Sequence, residues 1–170
     1  EVIWEGSIDD NHDENKYGFF NYLKVMDSKK KLKNKFSRNE NIRIELSYTL
    51  ITQINNYFEI SLILKDNRSE TIFHSPIPQI YEKNSEYNLK GIYKACCVIE
   101  KGILNEGDYL IELEFVLGVN RILKVENVLL INIYDSEIDN GIRTIFRAGK
   151  QWPQSVIRPE LNWKLGLKPD

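Results

Sequence analysis

Apolar and polar residues alternate along most of the chain with a period of two. Residues Ile42, Ile44, Leu46 and Tyr48 are interleaved with Arg43, Glu45, Ser47 and Thr49. Successive side chains of a strand point to opposite faces, so this stretch predicts a strand with one buried and one wet face. Residues 57–65 repeat the pattern, with Phe58, Ile60, Leu62 and Leu64 facing in and Tyr57, Glu59, Ser61 and Lys65 facing out. The Asp66-Asn67-Arg68-Ser69 turn then leads to residues 71–74, which predicts a hairpin. Residues 17–26, 91–100, 109–115 and 121–134 read as further strands, the last being long or bent. An irregular edge strand is expected at 156–163, where Pro159 removes a ladder donor. Weak helical spacing occurs at 136–150 only, and Gly141 and Gly149 weaken it. About eight strands at this spacing, with at most one short helix, predict an all-β fold: an antiparallel β-sandwich.

Residues 1–16 are polar and acidic apart from Val2, Ile3 and Trp4, and read as a linker or lead-in to a single domain over 17–170. The 170 residues are 42% hydrophobic and 28% charged, which excludes wholesale disorder. No apolar run approaches the ~18 residues of a membrane-spanning helix. A net charge of -2 is unsuited to a general nucleic-acid binder. The start lacks signal-peptide chemistry and is not Met, so the chain is expected to be a fragment or a processed chain, of cytosolic location. Cys96 and Cys97 are adjacent and, on a strand, point to opposite faces. One core thiol and one partly exposed thiol are expected, not a disulfide.

Several catalytic classes have no foothold. There is no Gly-rich phosphate loop and no zinc-type Cys/His spacing. The acidic run around His12 does not match a calcium loop. Glu112 and Glu114 share a strand face as a glycosidase pair might, but alternating glutamates are ordinary on a wet face. No metal or cofactor is expected. Lys29, Lys30, Lys31, Lys33 and Lys35 form the one charge run. It reads as a solvated hairpin tip, with contact to an anionic membrane surface or an acidic glycan as the sharper alternative.

The surplus is aromatic: nine Tyr, seven Phe and three Trp, several on predicted wet faces or loops. Sugar rings stack their C–H faces on such side chains, while Glu, Asn, Ser and Arg bond the hydroxyls. A wet sheet face bearing Arg43, Tyr57, Glu59, Glu112, Glu114, Asn132 and Tyr134, with Trp152 nearby, is therefore a candidate carbohydrate platform. Tyrosine and Trp152 would stack; Arg43, the glutamates and Asn132 would orient hydroxyls. Two alternatives stay open. One is a protein-interaction or dimerisation module, favoured if Ile63 and Leu110 are exposed on otherwise wet faces. The other is a glycan-acting enzyme, which needs a deep cleft with two carboxylates.

Four stretches also carry a family resemblance: residues 22–27 with Phe36 and residues 41–48; residues 58–66 with Ile72-Phe73; Gly91-Ile92-Tyr93 with Ile99 and residues 104–109; and residues 156–163, reading Val-Ile-Arg-Pro-Glu-Leu-Asn-Trp. The Gly107-Asp108-Tyr109 and Ile157-Arg158-Pro159…Trp163 elements are the more specific. On these the chain resembles the C-terminal domain of the ATP-binding subunit of bacterial polysaccharide ABC exporters, the Wzt-type O-antigen subunit and its relatives. Ser155 stands where that family usually has glycine, and Cys96-Cys97 where aliphatic or polar residues are usual. The resemblance implies an immunoglobulin-like sandwich that binds the exported polysaccharide without catalysis, often at a modified non-reducing end. It further implies a preceding ATPase domain, a transmembrane exporter subunit as partner, and a cytoplasmic location at the inner face of the membrane. A homodimer is also implied, in which strand 156–163 can be exchanged on the tether of residues 151–155.

Overall fold

In a computed structural model, residues 2–6, 16–77 and 86–134 are described. They form nine strands: β1 (Ile3–Glu5), β2 (Gly18–Met26), β3 (Lys35–Ser37), β4 (Ile42–Leu50), β5 (Phe58–Asp66), β6 (Thr71–Pro76), β7 (Gly91–Ile99), β8 (Gly107–Leu117) and β9 (Asn120–Tyr134). No α-helix occurs among the described residues, and no helix there is long and apolar enough to cross a membrane. The expected all-β sandwich is what the chain forms. Seven of the eight expected strands are β2 and β4 to β9. The eighth, 156–163, and the weak helix at 136–150 lie outside the described residues.

The strands divide into two sheets. One has the order β1-β2-β4-β7; the other has the order β3-β9-β8-β5-β6. All pairings are antiparallel except β3 with β9, which is parallel. The alternation decides the layers. Leu23 and Val25 of β2, Ile44 and Leu46 of β4, Ile60 and Leu64 of β5, Ile111, Leu113 and Phe115 of β8, and Ile131 of β9 are all buried in one core between the sheets. A one-residue slip of any of these strands would expose its whole apolar set, so the register is strongly specified. Phe58 and Phe115 meet across the β5–β8 pair with ring centroids 6.0 Å apart.

Two short strands were not legible in the pattern. β1 lies within the expected lead-in, where Trp4 pairs with Leu23. β3 places Phe36, fully buried, beside Ile133 of β9. Three residues are too few to show a period. β9 is one strand with two register shifts against β8; at the larger, a bulge, four residue steps from Val125 to Leu129 oppose two on β8, from Leu113 to Ile111, and Asn127 has φ 52° there. The bulge bends the strand so that Leu123 and Val125 still pack against the core.

Candidate functional site

The outer face of the five-stranded sheet gathers six of the eight carbohydrate candidates. Tyr57 precedes β5 and Glu59 lies on it; Glu112 and Glu114 lie on β8, and Asn132 and Tyr134 on β9. The register makes Ser61 the partner of Glu114 and Ile63 the partner of both Glu112 and His74. Side chains of neighbouring strands therefore meet in rows across this face.

Those rows carry a ladder of ion pairs. Glu112 Oε1 is 2.9 Å from Lys65 Nζ, and its Oε2 is 3.3 Å from Lys124 Nζ. Lys124 also pairs with Glu126. Glu114 pairs with Arg121 and lies 3.8 Å from His74 Nε2. His74 Nε2 is 3.1 Å from Glu59 Oε1. The Tyr57 hydroxyl donates to Glu59 Oε2 at 3.0 Å, and the Ser61 hydroxyl donates to Glu59 Oε1. The hydrogen bond to Glu126 raises the Lys124 pKa against the effect of burial, and Glu112 adds to the rise. The same bond lowers the pKa of Glu126.

Glu112 and Glu114 are only 3% and 5% exposed, although they sit on the solvent side of the sheet. A buried carboxylate must be paired, and here cations from β5 and β9 pair it. The two glutamates are thus committed to holding the face together, unlike the free hydroxyl acceptors of a wet face. Ile63, between them and His74, is 8% exposed and Leu110 is half-buried. The exposed apolar pair that would have favoured a protein-interaction surface at this place is therefore not formed.

The other candidates are distributed differently. Asn132 donates to Asp108 Oδ1 at 2.7 Å, four residues along β8 from Glu112, roughly 13 Å away at strand spacing. Tyr134 is 41% and Tyr57 54% exposed, so both rings are available at the surface. Arg43 lies on β4, on the outer face of the opposite sheet, because Ile42 and Ile44 face the core. Alternation assigns a side to each residue within its own strand but not a sheet to each strand. Trp152 lies outside the described residues.

A second feature was not foreseen. Between the edge strands β7 and β6 the sandwich opens into a cleft of about 330 Å³. Its floor is Ile44, Leu46 and Tyr48 of β4 with Leu62 of β5; its walls include Tyr93, Ala95 and Cys97 of β7, Ser75 and Pro76 of β6, and Ile77 and Tyr87. Tyr48 and Tyr93 stack at 5.3 Å between centroids, and Tyr87 meets Tyr93 edge-on at 6.2 Å. The Tyr93 hydroxyl donates to the Leu89 carbonyl at 2.6 Å, which fixes that ring. Tyr48 is buried, and burial followed by the neighbouring Tyr93 and Tyr87 raises its pKa strongly. Tyr87 is 42% exposed at the mouth, where Lys94 also lines the cleft. The alternation of Tyr93, Ala95 and Cys97 against Ile92, Lys94 and Cys96 was present in the sequence. That the inward row faces an opening between two edges is a tertiary fact.

Both cysteines are exposed residues, contrary to the expected core-plus-surface pair: β7 is an edge strand among the described residues, and its inward side at Cys97 faces the cleft and not the closed core. The Cys97 thiol nevertheless points into the apolar cleft, and burial, followed by the neighbouring Cys96, raises its pKa to about 11. Among the described residues, no group of three or more His, Cys, Asp or Glu side chains is placed to hold a metal ion.

No protein-family model matches the chain, and no curated protein matches it. Its fold, however, is that of a crystal structure of the C-terminal domain of wzt. The two superpose with a TM-score of 0.59, over 80% of this chain and 79% of that one, at 10% sequence identity.

Proposed function

We propose that this chain is a non-catalytic recognition domain for a cell-surface polysaccharide of the O-antigen kind, carried at the C-terminus of an ABC exporter's ATP-binding subunit. In that role it couples glycan binding to export from the cytoplasmic side, with the ATPase domain and the transmembrane subunit as partners. The sequence resemblance and the fold shared with the C-terminal domain of wzt support the setting. The observation that carries the binding role is the tyrosine-lined cleft. It is concave, of a size that suits a small ligand or one sugar unit of a polymer, mostly apolar, and supplied with a few polar groups. Tyr87 and Tyr93 offer ring faces for C–H stacking, and Ser75 offers a hydroxyl at the rim. The outer face of the five-stranded sheet offers Tyr57 and Tyr134 as a second platform, but its central carboxylates are already engaged by cations.

A second reading is a protein-interaction or dimerisation module. Ile92, 74% exposed on the outer side of β7, favours it, because β7 is an edge strand among the described residues and an edge with apolar side chains invites pairing with another chain.

A binding titration against the surface polysaccharide of the organism that carries the chain tests the proposal, with Tyr87→Ala and Tyr57→Ala alongside. Saturable binding is expected, weakened about tenfold by loss of a stacking ring at Tyr87, with Tyr57→Ala close to the parent. Loss at Tyr57 alone would move the site to the five-stranded sheet. No binding by the folded parent, together with a stable dimer, would establish the interaction module instead.

A further inference from the structure

The lysine run lies at the end of the four-stranded sheet, in the turn between β2 and β3. The Asp27 carboxylate organises that turn. Its Oδ1 accepts hydrogen bonds from the backbone amides of Lys29 at 2.8 Å and Lys31 at 2.9 Å, and Lys30 sits between them with φ 64°. Asp27 is held at the base of the turn by main chain, and the three exposed lysines around it leave a net positive tip. Lys33 is different: its ammonium pairs with Glu40 at 3.0 Å.

The register extends this tip across the sheet. Leu32 bridges to Met26, Met26 pairs with Arg43, and Arg43 pairs with Val98. Paired residues share a face, so Leu32, Met26, Arg43 and Val98 form one row on the outer face, directly beneath the lysines. Leu32 is 39% and Val98 44% exposed. The Nε of Arg43 is itself buried and has no hydrogen-bond partner among the described residues. Cys96, one further row along, feels the charges of Arg43 and Lys30, opposed by that of Glu45. The nearest acid in the next row, Glu45, already accepts from the Tyr22 hydroxyl at 2.9 Å.

We propose that this end of the four-stranded sheet, Lys29, Lys30, Lys31 and Arg43 with Leu32 and Val98 among them, docks the domain on an anionic phospholipid surface. The tip is an exposed turn at the end of the sheet, with a leucine beside its cations. Such a turn can press its leucine between headgroups while its cations meet lipid phosphates, whereas a saccharide is gripped mainly by stacking rings and hydroxyl partners, which the tip lacks. The acidic overall balance of the chain makes the docking local and oriented, with the four-stranded sheet end-on to the membrane. This goes beyond the glycan reading and does not depend on it.

The test is vesicle co-sedimentation of the full 170-residue chain, with vesicles of phosphatidylcholine alone and with 30 mol% phosphatidylglycerol. Binding to the anionic vesicles only is expected, and it should fall steeply between low and physiological salt. Each lysine near such a surface strengthens binding about fivefold, so the Lys29→Glu/Lys30→Glu/Lys31→Glu variant should lose on the order of a hundredfold or more. Circular dichroism checks that it folds, and the milder Lys→Gln triple variant serves if it does not. Leu32→Ser should weaken binding without changing its salt slope. No binding of the folded parent to anionic vesicles overturns the proposal. So does a triple variant that keeps vesicle binding, or one that loses polysaccharide binding while vesicles never bind, which would make the tip an acidic-glycan contact.

Discussion

Glu112 offers the sharpest quantitative check on the outer face of the five-stranded sheet. Its side chain is 4% exposed, against 19% for Lys65 and 21% for Lys124, which flank it at 2.9 and 3.3 Å. At an effective dielectric of about 20, Coulomb's law gives each contact roughly 5–6 kcal/mol of attraction. Desolvation of the three ions offsets most of that, at several kcal/mol per ion. What the substitution measures is therefore the imbalance left behind, not the attraction itself. Removing one partner of a fully buried pair costs about 3–5 kcal/mol. Here the lysines keep some solvent contact and Lys124 retains Glu126. Glu112→Gln is accordingly expected to cost about 2–3 kcal/mol, between the buried and exposed limits. Urea denaturation followed by tryptophan fluorescence gives the number, with unchanged slope as the sign that both end states are the same. Glu70→Gln is the internal control. It breaks the pair with Arg68, where both side chains are more than 60% exposed, and should leave the midpoint unmoved. The Glu112→Leu/Lys65→Met double variant should recover most of the loss, because it removes both charges and not one. Were Glu112→Gln no more costly than Glu70→Gln, the ladder would be ordinary surface charge, and the argument that withdraws Glu112 from sugar binding would fail.

Two other outcomes follow from the backbone and from the cleft. Gly118 turns β8 into β9 with φ 61°, where a Cβ is strained although space around it is open, so Gly118→Val should destabilise by about 1–2 kcal/mol in the same urea assay. At Cys97, alkylation by iodoacetamide should be slow at pH 7.5 and accelerate with pH until the thiol is ionised at about 11, two units above its ordinary value of 9.0. The folded pKa is raised, so the stability this thiol contributes is complete below about pH 9 and is lost as pH climbs to about 11. A polysaccharide bound in the cleft should slow the reaction further; alkylation unaffected by saturating glycan would place the ligand elsewhere.

The strand pattern was written locally, and the sequence alone determined it. Ile42 to Tyr48 and Phe58 to Leu64 declare a buried face residue by residue, since burial of alternate apolar side chains is what holds such strands and sets their register. The turn at Asp66 was equally legible, for its chemistry depends on one or two residues. Three-residue strands such as β1 and β3 left no trace, because their place is fixed by neighbours distant in sequence. Which strands share a sheet was likewise decided by tertiary pairing. That is why Arg43, which alternates as Glu59 and Glu112 do, faces away from them on the opposite sheet. Glu112 and Glu114 read as wet and are buried, since the cations that cover them come from β5 and β9. The cleft exists because two edge strands, β6 and β7, lie across from one another and leave Tyr48, Tyr87 and Tyr93 around a gap. Periodicity records which side of its own strand a residue takes; distances between strands, and hence pairing of charges and the shape of a cleft, arise only when the sheets close over their common core.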